Sequence, residues 1–206
     1  DARVSAAIGV TVAPVADPTF TGAAKFANGS ASAPSIAHAG DTNNGIYFGT
    51  DILNFATAGT FAAMFDATQR FVVGHTAAVA IGANTPRFQT HGIDQATAQN
   101  AYFRWSADSA APSLGMAKSR NATPGSHTIV QNGDQLLVIT GYGSDGAAFI
   151  SGGGFRVTVD GTPGLNDMPT KASIYTTADG ASTPTERFYV SQDGSVTVVS
   201  GTMTLN

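Results

Sequence analysis

The chain has 206 residues, a net charge of −4 and 12% charged residues, and it contains no cysteine. The acidic balance argues against nucleic-acid binding, which needs clustered Lys and Arg, and the missing cysteines exclude disulfides and thiolate metal sites. The 24 glycines and the single glutamate, Glu186, disfavour helix and predict an all-β protein. No apolar run is long enough to span a bilayer, so we expect no membrane insertion.

Residues 1–35 are rich in Ala, Val, Thr and Pro. The prolines at positions 14, 18 and 34 lack a backbone N–H and therefore disfavour helices and central strands. This composition predicts an extended arm or shaft, with a flexible linker as the alternative. Because the chain begins at Asp1 and not at Met, we expect a processed or truncated piece.

Residues 36–84 are predicted to form a first β module. Runs of alternating apolar and polar residues lie between positions 44 and 75, separated by turn-forming residues. Four apolar residues of this module match four near the end of the chain in spacing: Ala63, Phe65, Phe71 and Val73 correspond to Phe188, Val190, Val196 and Val198. The same short hairpin is therefore expected twice, which suggests stacked β units.

Residues 85–206 are predicted to form the main β module. Residues 89–92 resemble the end of a strand, and residues 93–100 are compatible with a single helical turn, with a loop and a strand as the alternative. Residues 100–106 alternate as a strand does, with Phe103 and Trp105 on one face and Tyr102, Arg104 and Ser106 on the other.

Residues 133–199 show the clearest strand pattern in the chain. Phe155, Val157 and Val159 alternate with polar neighbours. The Asp193-Gly194 pair between two alternating runs predicts a tight hairpin with a primed turn. A second structural turn is expected at Asp160, Gly161 and Gly164, with both glycines at positive φ. An antiparallel β module follows from these residues, but no function does.

Six short motifs occur in these regions in a fixed order: Lys118-Ser119-Arg120, Gly133-Asp134, Val159-Asp160-Gly161-Thr162-Pro163-Gly164, Asn166-Asp167-Met168-Pro169, Pro184-Thr185-Glu186-Arg187 and Asp193-Gly194. With them the chain resembles bacteriophage tail-fibre proteins. It departs from such modules at Leu137 and Thr170, where glycine is usual, and at Thr197 and Val199, which replace closing glycines.

This resemblance implies an elongated homotrimeric fibre or knob in the phage tail of the virion. Its expected partners are two further copies, other phage tail proteins and a host cell-surface glycan or protein. The expected function is attachment to the host by receptor binding, without enzymatic activity. The alternatives are a tailspike that cleaves surface polysaccharide and a purely structural shaft or collar fibre.

Catalytic and cofactor motifs are weak in this sequence. Asp145, Asp160, Asp167 and Asp179 recur at turns, where capping of backbone N–H groups is favoured over a pair of glycosidase carboxylates. The G-x-G-x-x-G run at residues 141–146 is followed by glycines and not by a helix, so a hairpin loop is predicted there. The four histidines lack metal-ligand spacing, and no cofactor is expected.

Exposed aromatic side chains are the candidates for receptor binding, because carbohydrate recognition often relies on aromatic faces beside polar groups. Tyr102, Trp105, Tyr142 and Phe149 are predicted at or near loops and strand ends. For Phe149, packing in a core is the favoured alternative. For Trp105 and Tyr142, packing and recognition both stay open.

Overall fold

The computed structural model describes residues 23–199, and these form two compact units. The first unit contains the described residues up to Ala77 together with Phe88–His91, and the second contains Ala78–Arg87 and the described residues from Gly92 onward. Of the predicted arm at residues 1–35, residues 1–22 lie outside the described residues, and residues 23–35 contain no strand. The module boundaries proposed from the sequence stay a prediction.

The first unit contains one sheet whose six strands are ordered as they occur in the chain. Its strands are β1 (Ile36–His38), β2 (Asp41–Gly49), β3 (Ile52–Thr57), β4 (Thr60–Phe65), β5 (Phe71–Val73) and β6 (Phe88–Thr90). Neighbouring strands are antiparallel except that β6 runs parallel to β5. The first two residues of the predicted strand end at residues 89–92 therefore belong to β6, which returns to this sheet.

The second unit contains a five-stranded antiparallel sheet, also in chain order. Its strands are β7 (Gln135–Ser144), β8 (Phe149–Val159), β9 (Thr170–Thr176), β10 (Thr185–Val190) and β11 (Val196–Val198). A single helical turn, α1 (Gln95–Ala98), begins after Asp94, whose side chain accepts a hydrogen bond from the Thr97 N–H at 2.8 Å. The predicted helical turn and the all-β class are both confirmed.

The predicted repetition of one hairpin is confirmed at the level of residue pairs. Ala63 pairs with Val73 and Phe65 with Phe71 in the first unit, as Phe188 pairs with Val198 and Val190 with Val196 in the second. The hairpins also share a bulge. The carbonyl of Ala62 accepts from Gly74 N–H at 3.0 Å, and the carbonyl of Arg187 accepts from Val199 N–H at 2.8 Å.

The turn of this hairpin differs from the prediction. Gly194 has φ +83°, and its N–H donates to the Ser191 carbonyl. A type I′ turn needs positive φ at both central residues, and Asp193 is not at positive φ. The loop is longer, because Ser191 N–H donates to the Ser195 carbonyl at 3.0 Å. Gln69, with φ +64°, takes the place of Gly194 in the first hairpin.

Two further expectations are wrong. Residues 100–106 form no strand, because no neighbouring strand within the described chain supplies the hydrogen-bond ladder that a strand requires. Gly161 has φ +143° as expected, but Gly164 is not at positive φ, and the left-handed position in that turn belongs to Asn166, at +58°. Asparagine tolerates this conformation better than most residues.

Candidate assembly and attachment surfaces

One face of the second sheet is apolar from edge to edge. Register places residues in rows across the strands, and members of a row share a face. The two apolar rows are Leu137, Val157, Ala172, Val190 and Val196, and Ile139, Phe155, Ile174, Phe188 and Val198. Val196 is 58% exposed, Ile139 52% and Phe188 40%. Within residues 23–199, much of this apolar face therefore remains open to solvent.

The opposite face of this sheet is polar, and its own side chains cover it. The Arg156 guanidinium lies 3.9 Å from the centre of the Tyr175 ring, and the Lys171 ammonium lies 4.5 Å from that of Tyr189. Glu186 accepts hydrogen bonds from Lys171 at 3.3 Å and from Tyr175 at 3.2 Å. Burial alone would raise the pKa of Glu186, but the neighbouring side chains, with Ser173 and Lys171 ahead of Tyr175, lower it overall. On this face Lys171 and Glu186 therefore form an ion pair, and the Arg156 guanidinium lies over an aromatic ring.

The sheet of the first unit also presents a row of large apolar residues. Phe65 stacks against Phe71 with ring centres 4.9 Å apart, and Phe71 stacks against Phe88 at 5.9 Å. Phe88 nevertheless stays 57% exposed and Phe65 42%. Burying such rings is strongly favourable, so rings left this open indicate a contact surface.

The structure brings two of the predicted receptor-binding residues together. Strands β7 and β8 extend past β9 as a two-stranded arm, because the β8–β9 pairing ends at Gly153 and Thr176. On this arm Tyr142 pairs with Ser151 and Phe149 pairs with Ser144, which places the two aromatic residues on one face, diagonally opposite each other. Tyr142 is 38% exposed and Phe149 40%.

The loop at the end of the arm, residues 145–148, is held by an aspartate. Asp145 accepts hydrogen bonds from the N–H groups of Ala148 at 2.7 Å and Ala147 at 2.8 Å, which lower its pKa. The predicted capping role is thus observed for Asp145, and the G-x-G-x-x-G run is a hairpin, as expected. For Asp160, Asp167 and Asp179, the described chain shows no side-chain hydrogen bond.

Tyr102 and Trp105 lie elsewhere, in a stretch that is exposed throughout. Trp105 is 92% exposed and Tyr102 65%, and no ring contact joins either to Tyr142 or Phe149 among the described residues. Trp105 instead stacks on Phe103, with ring centres 6.3 Å apart. Phe103 was not among the predicted contact residues, although its alternation with Trp105 places the two on one face.

The sequence motifs that support the tail-fibre resemblance turn out to be structural. Arg120 of the first motif binds Asp134 of the second through two hydrogen bonds, at 2.6 and 2.9 Å. Asp160 N–H donates to the Pro169 carbonyl, and Gly161 N–H donates to the Asn132 side chain. The first and fourth motifs also line an open cleft of about 410 Å³, to which Lys118, His127 and Met168 contribute.

Within residues 23–199, no cluster of three His, Cys, Asp or Glu side chains is arranged to hold a metal ion. The described helix is also too short to cross a membrane. The two stacked histidines, His75 and His91, have ring centres 5.0 Å apart. Burial and the neighbouring His75 lower the pKa of His91.

Comparison with known proteins gives a likeness of fold. The chain is similar to the carboxy-terminal domain of the bacteriophage T5 L-shaped tail fibre with its intramolecular chaperone domain, with a TM-score of 0.52 and 17% identity over 75% of this chain. A second structure of the carboxy-terminal domain of that fibre has a TM-score of 0.47 and 14% sequence identity. This match covers 75% of this chain and 67% of that one. The chain spans 46% of the length of the first.

No protein-family model and no curated protein sequence matches the chain. The resemblance to tail fibres that the motifs indicate is confirmed as a likeness of fold to the T5 tail-fibre domain.

Proposed function

We propose that this chain is part of a bacteriophage tail fibre and serves to attach the virion to its host cell. The observation that carries this proposal is the fold, which is similar over three quarters of the chain to the carboxy-terminal domain of the T5 tail fibre. The ordered motifs of the sequence agree with the same family. The protein would then reside in the tail of the virion and contact other tail proteins.

We further propose that three copies assemble around one axis. In support, the described chain buries few apolar side chains: Ala56, Ala63, Met64, Val72, Val130 and Val159. Large apolar residues on both sheets stay exposed instead, and burial against further copies would remove them from water. A cyclic arrangement closes without growing into a filament, which suits a soluble fibre segment.

The aromatic and hydroxyl side chains of the β7–β8 arm favour attachment without cleavage. Tyr142 and Phe149 share a face beside the hydroxyl groups of Ser144 and Ser151. Aromatic faces beside polar groups suit a host-surface glycan or protein, and three copies would add avidity to weak single contacts. Glycoside cleavage needs two carboxyl groups converging on one bond, whereas Asp145 is engaged in its own turn. Tyr102 and Trp105 stay predictions as contact residues.

The test measures binding and turnover together. Labelled protein is incubated with permissive host cells, its competition with intact phage is measured, and release of reducing sugar is followed. We expect saturable binding and competition without sugar release. Saturable sugar release would replace the proposal with a depolymerase, and absence of binding to any permissive host would favour a shaft or collar fibre.

A further inference from the structure

Residues 100–106 have the pattern of a strand without its partner. Phe103 and Trp105 lie on one side and stack on each other, as alternation requires. Yet no backbone hydrogen bond within residues 23–199 joins this stretch to a strand, and every side chain of residues 92–118 is exposed. No helix or strand lies between α1 and β7 in the described chain, and stretches this long without secondary structure are uncommon within compact domains.

Strand β7 has a backbone edge without a neighbouring strand in the described chain, because it lies at the end of its sheet. Natural edge strands are usually protected by being short or by carrying charges or proline. The other edge strands described here, β1, β6 and β11, have three residues each, whereas β7 has ten and contains neither a charged residue nor a proline.

We infer that residues 100–106 of one copy pair with the free edge of β7 in a neighbouring copy. The apolar pattern supports this pairing, because Phe103 and Trp105 would extend the two apolar rows that contain Leu137 and Ile139, and Tyr102 and Arg104 would join the polar face. Repeated from copy to copy, the pairing closes a ring of three. The inference rests on the proposed trimer and specifies how its chains are joined. It assigns Trp105 to packing between chains in place of the predicted receptor contact.

The only tryptophan of the chain reports on this directly. Its side chain is 92% exposed in a single chain. In the assembled protein we expect blue-shifted emission from Trp105 and quenching by iodide that is several-fold weaker than in denaturant. Light scattering on the same sample gives the oligomeric state.

Cysteine pairs test the partner strand, because the chain has no cysteine of its own. Val138 and Thr140 share the polar face of β7, and Ile139 lies on the apolar face. We expect R104C combined with V138C or with T140C to form disulfide-linked oligomers, since a disulfide needs close Cβ atoms. R104C combined with I139C is the matched control and should stay uncross-linked.

The outcomes separate this inference from the proposed function. A trimer whose Trp105 is as open to iodide as in denaturant overturns the inference and leaves the trimer standing. Protection of Trp105 with no cross-link from either same-face pair overturns the pairing with β7. A folded monomer overturns both the pairing and the proposed trimer. Trimer formation, protection and same-face cross-links together support the pairing.

Discussion

Arg120 holds Asp134 through two parallel hydrogen bonds, from Nε to Oδ2 at 2.6 Å and from Nη2 to Oδ1 at 2.9 Å. The backbone of Asp134 in turn accepts from Val159 N–H, which ties this pair to the end of β8. The hydrogen bond from Arg120, followed by that from Gln131 N–H, lowers the pKa of Asp134 to about 2. The pair therefore joins two motifs and stabilises the start of the second sheet.

The first prediction concerns the pH dependence of this pair. A carboxyl whose folded pKa is below its ordinary value of 3.8 stabilises the fold above that pH and loses this contribution as the pH falls towards 2. We expect Asp134→Asn to lower the melting temperature at pH 7 and to show a smaller further loss between pH 4 and pH 2 than the unchanged protein. Asp179→Asn, in an exposed turn, is the control. Parallel melting curves for Asp134→Asn and the unchanged protein over this range would refute the role of the pair.

The second prediction separates the two glycines of one turn. A Cβ on Gly161, at φ +143°, would lie 3.0 Å from Cγ of Pro169, whereas a Cβ on Gly164 would meet nothing closer than 3.7 Å. We expect Gly161→Ala to destabilise the protein by about 1–3 kcal/mol, and Gly164→Ala by less than about 0.5 kcal/mol. Urea unfolding of both variants measures this, and equal losses would contradict it.

The third prediction uses the repeated hairpin. Gln69 and Gly194 hold the same left-handed position, at φ +64° and +83°. Because a side chain is costly there, we expect Gly194→Gln to destabilise by about 1 kcal/mol, and Gln69→Gly to be neutral or stabilising by up to about 1 kcal/mol. Thermal unfolding of the reciprocal pair provides the measurement. A loss of stability in Gln69→Gly would show that the two hairpins are not equivalent.

The fourth prediction tests the apolar face of the second sheet. Val196 belongs to that face and is 58% exposed, while its neighbour Thr197 points to the polar face. We expect Val196→Glu to abolish the species with three times the chain mass of 20.9 kDa, because it would bury a charge between copies. Thr197→Glu should leave that species intact in light scattering. Normal assembly of Val196→Glu would exclude this face from the interface.

The fifth prediction addresses recognition by the β7–β8 arm. We expect Tyr142→Ala and Phe149→Ala each to weaken binding to host cells several-fold, with avidity amplifying the loss at three equivalent sites. Ile93→Ala, which removes another exposed apolar side chain ahead of α1, should bind normally. Circular dichroism confirms that each variant is folded. Full binding by both arm variants would move recognition away from the arm.

The sequence alone determined the all-β class and the two copies of one hairpin. Each depends on local patterns, because period-two alternation and turn-forming residues act within a few positions along the chain. The bulges at Ala62 and Arg187 and the longer loop at Gly194 did not follow from the sequence, since turn geometry depends on which backbone groups pair.

Only the tertiary structure decided which distant residues meet. The Arg120–Asp134 pair, the return of β6 beside β5 and the shared face of Tyr142 and Phe149 all depend on strand register. Residues 100–106 have the sequence pattern of a strand but form none in the described chain. Their alternation is a true local signal, but a strand exists only where a second backbone completes its hydrogen bonds, and the described residues 23–199 supply none.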